Sequence, residues 1–227
     1  MKNIKESFTI PFKDPDWLSK FLIGGIFTLL SFLLIGIPVL FGYFIEYLQR
    51  VRRNEQRPLP EWNEAGVKFI TGFKFLVTLF VYYIPLIIIA IPVFVIMIIA
   101  SIQESTFAGF FGGATVFMVV LFVIIPYSLF ITILTPIIAV RFAEREKIGD
   151  GLHVGNVLTL FIVHWQDAVI AALITIGVQA LSAIGIIFFI AGILVTSFYA
   201  SLIRFHLYGQ IAFSIDQSKT PQAISAP

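Results

Sequence analysis

The sequence predicts an all-α, polytopic transmembrane helical bundle, and three observations carry that prediction. Mean hydropathy is +0.98. Only 12% of the 227 residues are charged, where soluble domains carry roughly a quarter. Apolar runs follow one another at 21–48, 69–103, 114–140 and 168–203, several of them longer than the about 20 helical residues that cross a bilayer core. No alternating polar pattern marks an outer-membrane barrel. Helices follow because they satisfy their backbone groups internally where water cannot.

The first run has two readings. A single bent helix puts the N-terminus and the Arg-rich stretch "RVRRNEQR" on opposite sides. A short hairpin turning at "GIP" (Gly36–Pro38) puts both on one side. The hairpin gathers all 15 Lys and Arg residues on one face, which the positive-inside rule makes cytoplasmic, and it is the preferred reading. Its arms are short for full spans, so a re-entrant dip is an alternative to two crossings.

The second run carries Pro85 and Pro92, seven apart, which bend a helix in a similar direction. The third contains Pro126 and Pro136. The fourth is too long for one span and too short for two with a long loop, so it reads as a hairpin turning near Ser182–Gly185 and running to about Phe213. The opposite face holds "QESTFAGFFGG", with "GFFGG" as a turn, two tight turns and Glu104 as its one charge. The result is six helical segments, the first pair short, in one membrane domain (1–213). Both termini are expected in the cytoplasm, and the polar tail 214–227 is expected to be disordered.

Trp17, Trp62 and Trp165 each sit beside an acid ahead of a hairpin, as membrane-interface anchors do. "GIPVLFGYFIEYLQR" (36–50) also matches "GILVTSFYASLIRFH" (192–206) at Gly, Ile, Val and Tyr. Together these suggest three parallel units (17–53, 62–147 and 148–213), each an interfacial segment followed by two helices. "LPEWNEAGVKFITGF" and "GDGLHVGNVLTLFIVHW" mix polar and apolar residues as interfacial helices do. Arg50, Arg52, Arg53 and Arg57 read as cytoplasmic anchors that also attract anionic lipid headgroups, by about 1 kcal/mol per basic residue near the surface.

The motifs "DPDWLSKFLIGG", "GYFIEYLQRVRRNE" and "LPEWNEAGVKFITGF", with "FAEREKIGDGL" and "HWQDAVIAAL" in the second half, together resemble the domain-of-unknown-function family 4013. The resemblance implies a multi-pass protein of bacterial or archaeal plasma (inner) membranes. It brings no assigned activity and no catalytic residue.

The residues themselves offer little chemistry. With no cysteine there is neither disulfide nor thiolate site, and a net charge of +2 is too small to argue for nucleic acid. His153 and His164 would stand about 16 Å apart on one straight helix, too far to share a metal ion. His164 and Asp167 read as an interfacial polar belt, Glu46 and Arg50 as a rim ion pair, and Arg204 and His206 as snorkelling residues that close the last span. Gln179 is the intramembrane polar residue that needs a helix-to-helix partner. Gly192, Thr196 and Ala200 form a small-residue stripe suited to close helix packing. No metal, cofactor or catalytic residue is expected. The function expected is a non-catalytic membrane assembly or partner-binding protein, in a homo-oligomer or with a membrane-protein partner; the alternative is a transporter or channel for a small or lipid-like solute.

Overall fold

A computed structural model describes residues 4–102, 106–182 and 189–224, and these form an all-α bundle with no strand among them. A short helix α1 (Ile4–Thr9) runs into a 3-10 turn, Ile10–Lys13. Then come α2 (Trp17–Leu30) and α3 (Gly36–Arg52), α4 (Ala65–Ile102), and α5 (Thr106–Val119) leading into α6 (Ile125–Arg145). The chain ends with α7 (Ile148–Leu152), α8 (Val154–Ser182) and α9 (Phe189–Ile224). The stretches Ala65–Ile99, Gly112–Arg145 and Val154–Ala180 are long and apolar enough to cross a membrane.

The ambiguity of the first apolar run resolves as a hairpin. A 3-10 turn at Ser31–Leu33 and a left-handed Leu34 (φ 63°) reverse the chain, ahead of the expected turn at Gly36–Pro38, which instead opens α3. Gly36 then packs so closely under α2 that a Cβ there would collide with the Phe27 carbonyl. Lys20, at the start of α2, hydrogen-bonds the Leu59 carbonyl beyond the end of α3. Both open ends of the hairpin therefore lie at one end of the bundle. The tip is apolar and bare, with Phe32 80% and Leu34 71% exposed. Ahead of it, α1 and its 3-10 turn meet the α2 arm at 100°.

Proline shapes the long helices in two ways. Pro85 and Pro92 are accommodated within α4, whereas α5 and α6 join through a π-helical turn, Val120–Ile124. Pro126 follows at once, and a residue without an N–H shifts the hydrogen-bond register of the turn before it. The expected turn at 109–113 is instead part of α5. Where no water competes for the backbone, a glycine-rich segment holds a helix well. α8 is two helices joined at a kink, His164 (φ −115°, ψ 25°), which falls at the start of the polar stretch His164–Asp167. The expected turn near Ser182–Gly185 falls mostly in 183–188, outside the described residues.

Helix packing follows a cyclic rule. The helices α3, α6 and α9 pack on one another at the centre. Each outer helix wedges between two of them: α2 between α9 and α3, α4 between α3 and the α5–α6 helix, α8 between α6 and α9. The similar segments 36–50 and 192–206 thus lie on neighbouring inner helices that run in the same direction. Tyr47 faces His206, and a Cβ on Gly209 would strike Val51. The core is aromatic, with Phe44 stacked on Phe205 and Trp62 stacked between Phe27 and Tyr43.

The C-terminal segment also departs from expectation. Residues 214–224, expected to be a disordered tail, continue α9 as helix through Ile224. Ile215 is 1% exposed and Asp216 bonds Arg52, so the extension has an apolar face to bury and a charge to pair.

Candidate functional site

The charged residues at the open end of the hairpin resolve into paired clusters. Arg50 and Lys68 both bond Glu46, the expected i, i+4 pair gaining a third member from α4. Glu146, left-handed at the end of α6, accepts from Thr71 and Gln49. Arg52 bonds Asp216 through two nitrogens and lies 3.5 Å from Glu144, which also takes Arg141. Lys20 is buried between Asp14 and Glu61. Of the four expected anchors in the Arg-rich stretch, only Arg53 and Arg57 remain exposed.

Arg204 behaves differently. Among the residues whose surroundings are described, it is the one half-buried cation without an acid partner. Its Nε is buried with no hydrogen-bond partner, one terminal nitrogen reaches only Ser201 Oγ at 3.5 Å, and the guanidinium carbon lies 5.5 Å from the centre of the Phe205 ring. Rather than snorkelling to the surface, the side chain lines a cavity of about 220 Å³. Side chains on a helix point back toward its N-terminus, which for Arg204 is toward the apolar part of α9.

Five helices build that cavity. α3 supplies Phe41, α4 supplies Phe75, Leu79 and Tyr83, and α6 supplies Thr132 and Thr135; Thr175 of α8 and Phe205 and Tyr208 of α9 complete it with Arg204. Among the described residues, none that lines it is acidic. Thr132 and Thr135 donate to carbonyls four residues back, which keeps two hydroxyls on an apolar helix without an open donor. The Thr175 hydroxyl is buried beside Tyr208 and makes no hydrogen bond of normal geometry. Tyr83 is 36% exposed and stands at the rim.

The other sequence candidates disperse. Gln179 is exposed on α8 and does not line the cavity. Ala200 is 3% exposed in the core, while Gly192 and Thr196 are half-buried and joined by a hydrogen bond from the Thr196 hydroxyl to the Gly192 carbonyl. Trp62 is a stacked core residue that donates to the Lys20 carbonyl, Trp17 packs on Phe12 and Phe21, and Trp165 is 52% exposed. His206 is buried against Ser7. His153 caps α7 through the Gly149 carbonyl and His164 forms the α8 kink, so no straight helix joins them. Among the described residues, no three His, Asp or Glu gather as a metal site would require.

The family "Protein of unknown function (DUF4013)" matches this chain over residues 25–196. The chain belongs to the DUF4013 family. The match covers α3 through α8 and stops short of Arg204, so this DUF4013 member carries its candidate residue outside the matched segment. No curated protein and no solved structure matches the chain.

Proposed function

We propose that the chain is a non-catalytic membrane protein that holds a lipid-like solute within its bundle, as a carrier or transporter does. The observation behind this reading is the cavity shared by five helices, in which Arg204 lacks an acid partner. A charge in such surroundings is costly without a partner, and a ligand that supplies one repays that cost. The reading as an assembly protein loses its main motive, because the small-residue stripe runs into the core at Ala200. The charge asymmetry supports both termini being cytoplasmic, and the family resemblance implies a bacterial or archaeal plasma membrane.

Native mass spectrometry of the full chain, gently extracted from its host's membrane, tests the proposal. The expected spectrum has one retained amphiphile per chain, absent from Thr132→Phe, whose ring fills the cavity. A bare wild-type chain, or equal retention in Thr132→Phe, overturns it.

A further inference from the structure

We infer that the cavity takes the phosphate group of a membrane lipid, with Arg204 as its anion contact and the acyl chains left outside on the apolar faces of α4 and α6. This inference rests on the solute-holding reading and names the chemical class of the solute.

Sign comes first. The lining offers a guanidinium and no carboxylate. Elsewhere the bundle pairs its half-buried cations internally: Arg50 and Lys68 with Glu46, Arg52 with Asp216, Arg141 with Glu144. Among the described residues, the contacts of the Arg204 guanidinium are the Phe205 ring and a long approach to Ser201. An anion is the missing partner.

Donor geometry narrows the class. A guanidinium presents a rigid fork of N–H groups that matches the oxygens of a phosphate. The same cavity is lined by three further hydroxyl-bearing residues, the partly exposed Tyr83 and the buried Thr175 and Tyr208. Thr175 is 9% exposed, and its oxygen still lacks a hydrogen bond of normal geometry. A tetrahedral oxyanion uses several such donors at once, whereas a halide or a neutral hydroxyl engages few of them.

Size and surroundings separate a lipid from free phosphate. About 220 Å³ holds a headgroup and no more, since pockets that enclose a whole drug-sized ligand start near roughly 300 Å³. The helices that form the rim are apolar and bare just beyond it: Phe80 (57% exposed) and Ile84 (38%) flank Tyr83 on α4, and Leu129 (49%) and Phe130 (44%) precede Thr132 on α6. Acyl chains fit there, and a free aqueous anion gains nothing from such walls.

The test titrates the full-length protein in neutral detergent with short-chain phosphatidic acid, phosphatidylglycerol, diacylglycerol and inorganic phosphate, reading the thermal midpoint. The two phosphate-bearing lipids are expected to raise it, while diacylglycerol and inorganic phosphate leave it unchanged. Arg204→Gln is expected to weaken the lipid effect about tenfold or more, Arg204→Lys less than that, and Gln179→Leu not at all. Thr175→Val removes one donor without touching the charge, and serves if Arg204→Gln does not fold; an unaltered lipid response in it then counts against the site. Equal stabilisation by diacylglycerol, indifferent to Arg204→Gln, overturns the phosphate inference and leaves the solute-holding reading in place. Equal stabilisation by inorganic phosphate overturns the lipid assignment. No response to any amphiphile fails both.

Discussion

Arg52 on α3 grips Asp216 on α9 through two hydrogen bonds, Nε to Oδ2 at 2.6 Å and a terminal nitrogen to Oδ1 at 2.7 Å. The fork-to-carboxylate geometry is the strongest form of ion pair, and here it ties the C-terminal helix to the first hairpin. Burial of the guanidinium works against its charge, but the Asp216 hydrogen bond outweighs that and raises the Arg52 pKa above its ordinary value. Asp216 is 41% exposed, so Asp216→Asn should lower stability by about 1 kcal/mol or less. The clearer readout is limited proteolysis, where cleavage within 214–224 should quicken. Unchanged protection would mean that Ile215 and its neighbours hold the extension alone.

The backbones of α3 and α4 approach each other closely at two glycines. A Cβ on Gly42 would overlap the Lys68 carbonyl, and one on Gly72 would overlap the Pro38 carbonyl. Backbone cannot yield as a flexible side chain can. Gly42→Ala and Gly72→Ala should each cost about 3 kcal/mol, at the upper end of overpacking penalties. Gly66 meets nothing within 4 Å, so Gly66→Ala should be tolerated. Comparing the yield of monodisperse protein for the three variants checks this, and a normal yield for Gly42→Ala would refute the contact.

Lys20 and Asp14 form a buried pair, with side chains 5% and 2% exposed. Lys20→Met should be strongly destabilising, by about 3–5 kcal/mol, because it leaves the Asp14 carboxylate buried without its cation. Adding Asp14→Asn should restore much of the loss. Thermal midpoints of the single and double variants decide the matter; a double variant no better than Lys20→Met would mean that the lysine acts through packing.

Hairpin topology is testable because the chain has no cysteine. Single cysteines placed at Lys5, Glu55 and Ser105 can be probed in intact cells with a membrane-impermeant thiol reagent. Only position 105 should react. Reaction at position 5 alongside silence at position 55 would return the first run to a single crossing helix.

Legibility of the sequence followed physical cause. Apolar length and charge asymmetry report the existence of helices and a reversal within the first run, because both are properties of consecutive residues; the exact place of that reversal, Ser31–Leu34 and not Gly36–Pro38, they do not report. The kink at His164 was not legible, because His164–Asp167 reads in the sequence only as a polar belt. Contacts across the bundle were not legible either. Gly42 and Gly72 are ordinary glycines in the sequence, and their apposition depends on how α3 crosses α4. Gln179 stood out as the polar residue in an apolar run, yet the helix turns it outward. Arg204 sits where basic residues commonly mark the end of a span, and only the surrounding helices reveal that it lines a cavity. One signal was available: Thr132, Thr135 and Thr175 are hydroxyl residues in otherwise apolar stretches, and all three line the cavity that Arg204 lines.

Because α2 wedges between α9 and α3, the ring of helices closes only when the end of the chain meets its beginning. The Tyr199 hydroxyl donates to the Phe8 carbonyl across 191 residues, and His206 meets Ser7 across 199. A polypeptide emerging from the ribosome therefore inserts its first hairpin long before the partner of that hairpin exists. Until α9 is made, Phe21 and Phe44 lack the Phe198 ring that they later pack against. Truncation before α9 would strip the earliest helices of their cover, leaving a nascent product suited to capture by membrane quality control rather than a smaller stable bundle.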